Sequence, residues 1–309
     1  MASSTVVKEL RGLVAATFTP LTPEGEINPS LIGSYIDYLI EKQGVKSVFV
    51  NGTTGESLSL SVEERKRLAK EWCEKGKGRL EQVIVHVGCM SLKDAQELAR
   101  HAATIGADGI ALLSPSFFKP TNADALRMFL QEVASAAPDL PLYYYHIPGM
   151  TGLNLDAKDV LEGIETQIPS FRGVKFTSTD LRDLGQCVSY CRAHRLSVLY
   201  GVDEQLLGAL IMDVQGAVGS TYNYLGRAIN HLLSAFEAAD LDRARKIQFQ
   251  LQHIITFAKK HGFDLTVNKQ VMCEVSGLPL GPPRLPLLRC SQSQALPIAE
   301  EIRKVLKDH

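Results

Sequence analysis

Residues 171–180 read FRGVKFTSTD. The core of this stretch has the length and the apolar, β-branched character of a short buried strand, with a lysine at its centre. Alternate residues of a strand face opposite sides. Val174 and Phe176 therefore share one face, while Gly173, Lys175 and Thr177 share the other. Lysine is seldom fully buried without a partner, so Lys175 asks for a reason. Three remain open from this segment alone: a buried structural salt bridge, a site for a phosphate or carboxylate, and an amine deprotonated enough to form a Schiff base.

Seven more runs of the same kind flank this one. They are GLVAATFTP (12–20), SVFVNGTTG (47–55), QVIVHVG (82–88), GIALLSP (109–115), LYYYHIP (142–148), LSVLYGVD (196–203) and GAVGSTYN (216–223). Helix-like stretches lie between them. NPSLIGSYIDYLIEKQG has apolar residues at helical spacing and ends on Gly44, a C-cap candidate. SLSVEERKRLAKEWCEKG opens with Ser61 and Glu64, a capping box. SLKDAQELARHAATIG repeats the form with Ser91, Asp94 and Gly106. Strand and helix alternating in this way, with strands apolar on both faces, predict an α/β protein, a (β/α)8 TIM barrel. An open doubly wound sheet is the competitor. NGTTGES (51–57) lacks the G-x-G-x-x-G spacing of a dinucleotide site, and no Walker lysine follows it. In the barrel, Val174 and Phe176 pack outward on helices, and Lys175 points inward near the strand end where barrel enzymes keep their chemistry.

After the eighth run the chain turns helical for about 80 residues, more than one barrel helix needs. The expectation is a catalytic barrel over 1–230 and a C-terminal helical extension over 231–309. GLPLGPPRLPLLRC (277–290) interrupts the extension. It is read as a stiff connector between helices, in preference to a P-x-x-P ligand for an SH3 domain.

Composition removes several function classes. The chain has 309 residues, 45% apolar and 22% charged, with a formal net charge of -1. That balance gives no electrostatic reason to expect a nucleic acid or an anionic membrane as partner. No apolar run is long enough to span a bilayer, and MASSTVVKEL (1–10) lacks the apolar centre of a signal peptide. The six cysteines form neither a disulfide framework nor a zinc pattern. They are read as free thiols of a reducing compartment, which places the protein in the cytosol.

The other strand ends carry polar groups that such a barrel would gather on one rim. NGTTGES sets Thr53 and Thr54 in a glycine-flanked turn, whose N–H groups and hydroxyls suit a carboxylate. YYYHIP puts Tyr143 and Tyr145 on one face, and Tyr144 and His146 on the other. YGVDEQ ends on adjacent acids, Asp203 and Glu204, and GSTYN offers small polar residues around Ser220. No cluster of histidines suggests a metal. His86, His101 and His146 are isolated and read as structural.

GTTGE (52–56), YHIP (145–148), GVKFT (173–177) and GVDE (201–204), in this order and at barrel spacing, resemble the signatures of the pyruvate-dependent class I aldolases, the family that includes dihydrodipicolinate synthase and N-acetylneuraminate lyase. The resemblance spans nearly the whole chain. VNGTTGESLSLSVEER, YYYHIP, GVDEQLL and GAVGSTYNYLG resemble the sialic-acid-cleaving branch most. It implies that Lys175 forms an imine with pyruvate, that Tyr145 moves the proton, and that Thr53 and Thr54 hold the pyruvate carboxylate. It implies also that Thr177, Gly201, Asp203, Glu204 and Ser220 line the sugar region. The reaction implied is reversible cleavage of N-acetylneuraminate to pyruvate and N-acetylmannosamine, with no metal and no cofactor, in a homotetramer. Cleavage leaves a carbanion that a protonated imine absorbs as an enamine, so the lysine is an electron sink. The alternatives are a related 2-oxo-acid aldolase, such as one acting on 4-hydroxy-2-oxoglutarate, and a non-catalytic metabolite-binding relative.

The chain departs from relatives at two places. Synthases of the family carry an arginine just after the strand-five proline, where this chain has Gly149 and Met150. Without that guanidinium the site lacks a fork for a second carboxylate, which favours a sugar substrate. Many relatives also place a tyrosine in the loop after strand four. SPSFFKP has Phe117 and Phe118 there, so no hydroxyl relay runs through that position.

Overall fold

A computed structural model describes residues 9–309. Residues 1–8, most of the stretch read above for a signal peptide, lie outside the described residues. Eight strands, one in each predicted run, pair in parallel and in chain order, and the last closes on the first. They are β1 (Gly12–Ala16), β2 (Ser47–Val50), β3 (Gln82–His86), β4 (Gly109–Leu113), β5 (Leu142–His146), β6 (Phe171–Phe176), β7 (Ser197–Tyr200) and β8 (Gly216–Gly219).

Strand alternation sorts the core into two. Val14, Ala16, Phe49, Ile84, Ala111, Leu113, Tyr143, Tyr145, Leu199 and Val218 fill the barrel interior. Ala15, Val48, Val50, Val83, Val85, Ile110, Leu112, Tyr144, Val174, Phe176, Val198 and Tyr200 join the larger outer core under the helices. Val174 and Phe176 thus face outward, as their pattern predicts.

Phe171, however, also belongs to the outer core, although strict alternation gives it the parity of Lys175. The register explains this. Leu142 pairs with Phe171 but Tyr143 pairs with Gly173, so Arg172 is the extra residue of a bulge. One extra residue reverses the facing of everything after it. The bulge is therefore what turns Gly173 and Lys175 inward. A second condition comes from packing. A Cβ on Gly173 would lie 2.1 Å from the Ser197 carbonyl oxygen of β7. Only glycine lets the two strands approach here.

Helix ends follow the predicted caps. Ser61 and Glu64 form the capping box of helix Val62–Gly76, and Ser91 caps Leu92–Thr104. Gly44 closes its helix in the left-handed conformation. Helix Tyr222–Glu237 packs on β1 and takes the eighth barrel position. It runs unbroken through residue 230. Helices Leu241–Lys260, Leu265–Ser276 and Gln292–Lys307 then pack on one another and on helix Tyr222–Glu237. The segment 277–290 links the last two without regular structure of its own. Among the described residues no helix is long and apolar enough to cross a membrane, and the six cysteines are free thiols.

Gly173→Ala tests the close approach. A methyl group aimed at backbone has no flexible side chain to displace, and the expected loss is about 3 kcal/mol. Thermal unfolding should show a midpoint lower by several degrees, or the protein should be recovered insoluble. An unchanged midpoint would mean that β7 moves aside freely.

Candidate active site

The inward face of β6 delivers the Lys175 ammonium group to the barrel mouth, where the residue is 4% exposed. Its Nζ sits 4.1 Å from the centroid of the Phe49 ring and 3.9 Å from that of Tyr145. Gly52 makes room for that arrangement, since a Cβ there would lie 2.6 Å from the Phe49 ring. Among the described residues Lys175 enters no ion pair; the buried lysine that does is Lys269. Burial brings the Lys175 amine down to about 7, with the charge of Asp203 pulling weakly the other way. The structural-salt-bridge reading of the sequence is thereby set aside.

Tyr145, opposite Lys175 in the register, packs edge-on against Phe49 and His86. Its hydroxyl lies 3.2 Å from the Thr53 hydroxyl. Burial pushes the phenol up to about 12, and the Thr53 hydroxyl offsets that only in part. At neutral pH it is a proton donor.

Thr53 and Thr54 occupy the turn after β2. Asn51 and Glu56 bracket it, each in the left-handed region at φ 59° and 57°. Backbone bonds run from Gly55 N–H and Ser57 N–H to the Gly52 carbonyl, and from Glu56 N–H to the Thr53 carbonyl. The N–H groups of Thr53 and Thr54 take no part in this backbone pattern. Thr19 fastens the turn from below through its hydroxyl to the Gly55 carbonyl, at 2.6 Å. An anion held on this turn would sit beside Tyr145 and above Lys175.

Thr177 continues the inward face of β6, and its buried hydroxyl lies near that of Tyr145, helping to lower the phenol, without reaching full hydrogen-bond geometry. Gly201 is required beside it, because a Cβ there would lie 2.1 Å from Thr177 Oγ1. Asp203 is buried, and its Oδ2 accepts from the Thr221 hydroxyl at 2.5 Å and the Thr221 N–H at 3.2 Å. Burial raises its carboxyl to about 6 against those two donors. The polyol role expected for Asp203 therefore has to share this carboxylate with Thr221. Glu204 is likewise engaged, with Lys259 Nζ 2.9 Å from Oε1. Ser220 Oγ accepts from the Asn268 amide at 2.9 Å, which leaves its own hydrogen for another acceptor.

These groups line one cavity of about 810 Å³. All nine residues singled out from the sequence reach it. The sequence reading missed its outer wall. Lys259, Phe263 and Asn268 come from the C-terminal extension, and Pro286 and Leu287 from the proline-rich connector. Nothing local marks them, because each matters only through contacts with loops some 50 to 230 residues earlier. Arg284 shows the scale, donating from its guanidinium to Glu64 and from its N–H to Glu56.

The histidines hold structural positions. His86 donates from Nδ1 to the Asn51 carbonyl and is kept neutral by burial. His146 stacks on Phe176 outside the barrel, brought down to about 4 by burial. Among the described residues no group of three or more His, Cys, Asp or Glu side chains could hold a metal ion. Phe117 and Phe118 are exposed, edge to face with each other.

The chain is 69% identical over 296 residues to the N-acetylneuraminate lyase of Danio rerio, covering 96% of each. Its fold superposes on the sialic acid aldolase of Aliivibrio salmonicida with a TM-score of 0.90 at 36% identity, covering 96% of this chain and 97% of that one. A structure of a catalytic-lysine mutant of the Ruminococcus gnavus sialic acid aldolase matches with a TM-score of 0.86 at 29% identity, covering 96% of each. The profile of the dihydrodipicolinate synthetase family matches residues 9–305. A match across barrel and C-terminal helices alike makes this chain a member of the dihydrodipicolinate synthetase family.

Proposed function

We propose that this protein is a class I aldolase that reversibly cleaves N-acetylneuraminate to pyruvate and N-acetylmannosamine. The observation that carries the reading is the Lys175 amine, buried against two aromatic faces without a carboxylate partner and titrating near neutrality. A structural lysine gains nothing from such a place, whereas a nucleophilic amine needs it. The names of the relatives support the substrate, as does the missing arginine after the strand-five proline.

The residues then divide the work. Neutral Lys175 attacks the C2 carbonyl of the open-chain sugar acid, and Tyr145 donates the proton that lets water leave. The product is a protonated imine. The C3–C4 bond breaks, its electron pair passes into the imine as an enamine, and the C4 hydroxyl loses its proton to form the aldehyde of N-acetylmannosamine. Having given up its proton when the imine formed, Tyr145 is a phenolate held beside the iminium charge and the Thr53 hydroxyl, and it takes the C4 proton directly or through the substrate carboxylate. Thr177, Ser220 and the Glu204–Lys259 pair meet the hydroxyl groups of the chain beyond C4. Protonation of the enamine at C3 and hydrolysis of the imine release pyruvate. A homotetramer in the cytosol belongs to the same reading.

Three outcomes are expected. Borohydride added with pyruvate should leave a stable adduct on Lys175, found by peptide mass spectrometry. Its rate at low pyruvate should rise with a midpoint about pH 7, and cleavage of N-acetylneuraminate should far exceed that of 4-hydroxy-2-oxoglutarate. No adduct anywhere would leave a non-catalytic binding protein. Secondly, the folded amine sits below its unfolded value of about 10.4. The unfolded chain then binds more protons between pH 7 and 10.4, so this penalty on folding is full below pH 7 and fades as pH rises. Lys175→Met should accordingly unfold at a higher temperature than wild type at pH 7, by a margin that shrinks toward pH 10. Thirdly, Tyr145→Phe should lower kcat by about 100-fold or more, with a smaller effect on pyruvate capture. Equal losses in both would contradict a proton-transfer role.

A further inference from the structure

A second buried lysine, outside the cavity lining, is not used by this chemistry. Lys269 lies in helix Leu265–Ser276, and its side chain is 1% exposed, as is that of its partner Glu56. Lys269 Nζ donates to Glu56 Oε1 at 2.8 Å and to the Pro282 carbonyl at 3.0 Å. Glu56 Oε2 accepts from the Arg284 N–H at 2.7 Å. One carboxylate thus joins the residue after the Thr53–Thr54 turn to helix Leu265–Ser276 and to the connector that carries Pro286 and Leu287 into the cavity wall. Glu56 is also held at φ 57°, a conformation that disfavours glutamate, and it lines the cavity. A strained, buried anion beside a turn suited to anions is a conflict unless it is cancelled. A like charge in a poorly screened site repels strongly.

We infer that Lys269 is a positioning residue whose ammonium cancels the charge of Glu56, so that the neighbouring Thr53–Thr54 turn accepts the carboxylate of a 2-oxo acid. The inference rests on the reading under Proposed function. Removing Lys269 leaves an unpaired carboxylate three residues beyond Thr53, and ligand affinity falls. Removing the Glu56 charge as well restores neutrality.

The experiment measures the pyruvate concentration giving half-maximal borohydride trapping on Lys175 in the full chain, together with the thermal midpoint. Wild type comes first: failure to trap there overturns the aldolase reading and this inference with it, whereas the variants below bear on the inference alone. With trapping established, Lys269→Met is expected to require about tenfold more pyruvate, the order of one unscreened like-charge contact at the rim. The double variant Glu56→Gln with Lys269→Met is expected to return to within about threefold of wild type, on the same grounds. A purely structural pair would show lowered midpoints with no such charge rescue. An unchanged half-saturation in Lys269→Met, or a double variant as weak as the single, overturns the inference. If Lys269→Met does not fold, Glu56→Gln decides: no greater pyruvate requirement than wild type supports the role, and a tenfold greater one overturns it.

Discussion

An amine buried against two aromatic faces in the barrel mouth, with no ion-pair partner among the described residues, is the constraint around which the site is arranged. The faces of Phe49 and Tyr145 offer a cation some attraction, but far less than the hydration it gives up. The proton is therefore held loosely. The same fold contains the opposite case. Lys269 is just as buried and is matched by Glu56 at 2.8 Å. Burial lowers both amines, but at Lys269 the Glu56 carboxylate opposes it and, with the Pro282 carbonyl, fixes the ammonium, whereas Lys175 lies against two rings with no such partner.

Holding Lys175 in place takes several local concessions. The bulge at Arg172 reverses the facing of β6. Gly173 allows β6 and β7 to close, Gly52 lets Phe49 lie under the amine, and Gly201 makes space for the Thr177 hydroxyl. Each removes an atom that would otherwise push a functional group out of position by an ångström or more, which is enough to spoil catalytic alignment.

The C-terminal helices complete what the barrel begins. Short loops at the rim leave polar side chains half-supported, and the extension supplies their partners: Lys259 for Glu204, Asn268 for Ser220, Lys269 for Glu56. It also contributes Phe263, Pro286 and Leu287 as apolar wall. The barrel therefore carries the reacting groups, and the extension sets their spacing and the shape of the cavity above them.

The sequence was enough for the eight strands, their order, the helix caps at Ser61, Ser91 and Gly44, and the polar residues at the strand ends. Those properties are periodic or local, so neighbours in the chain reveal them. It also pointed Lys175 inward, through Val174 and Phe176. What it could not reveal was that Asp203 is tied to Thr221, that Glu204 and Ser220 are partnered from the C-terminal helices, or that the proline-rich connector forms a cavity wall. The bulge at Arg172 was equally hidden. These features exist only when distant segments meet, and burial, which sets the ionisation of Lys175, Tyr145 and Asp203, is a property of that meeting rather than of any stretch of chain.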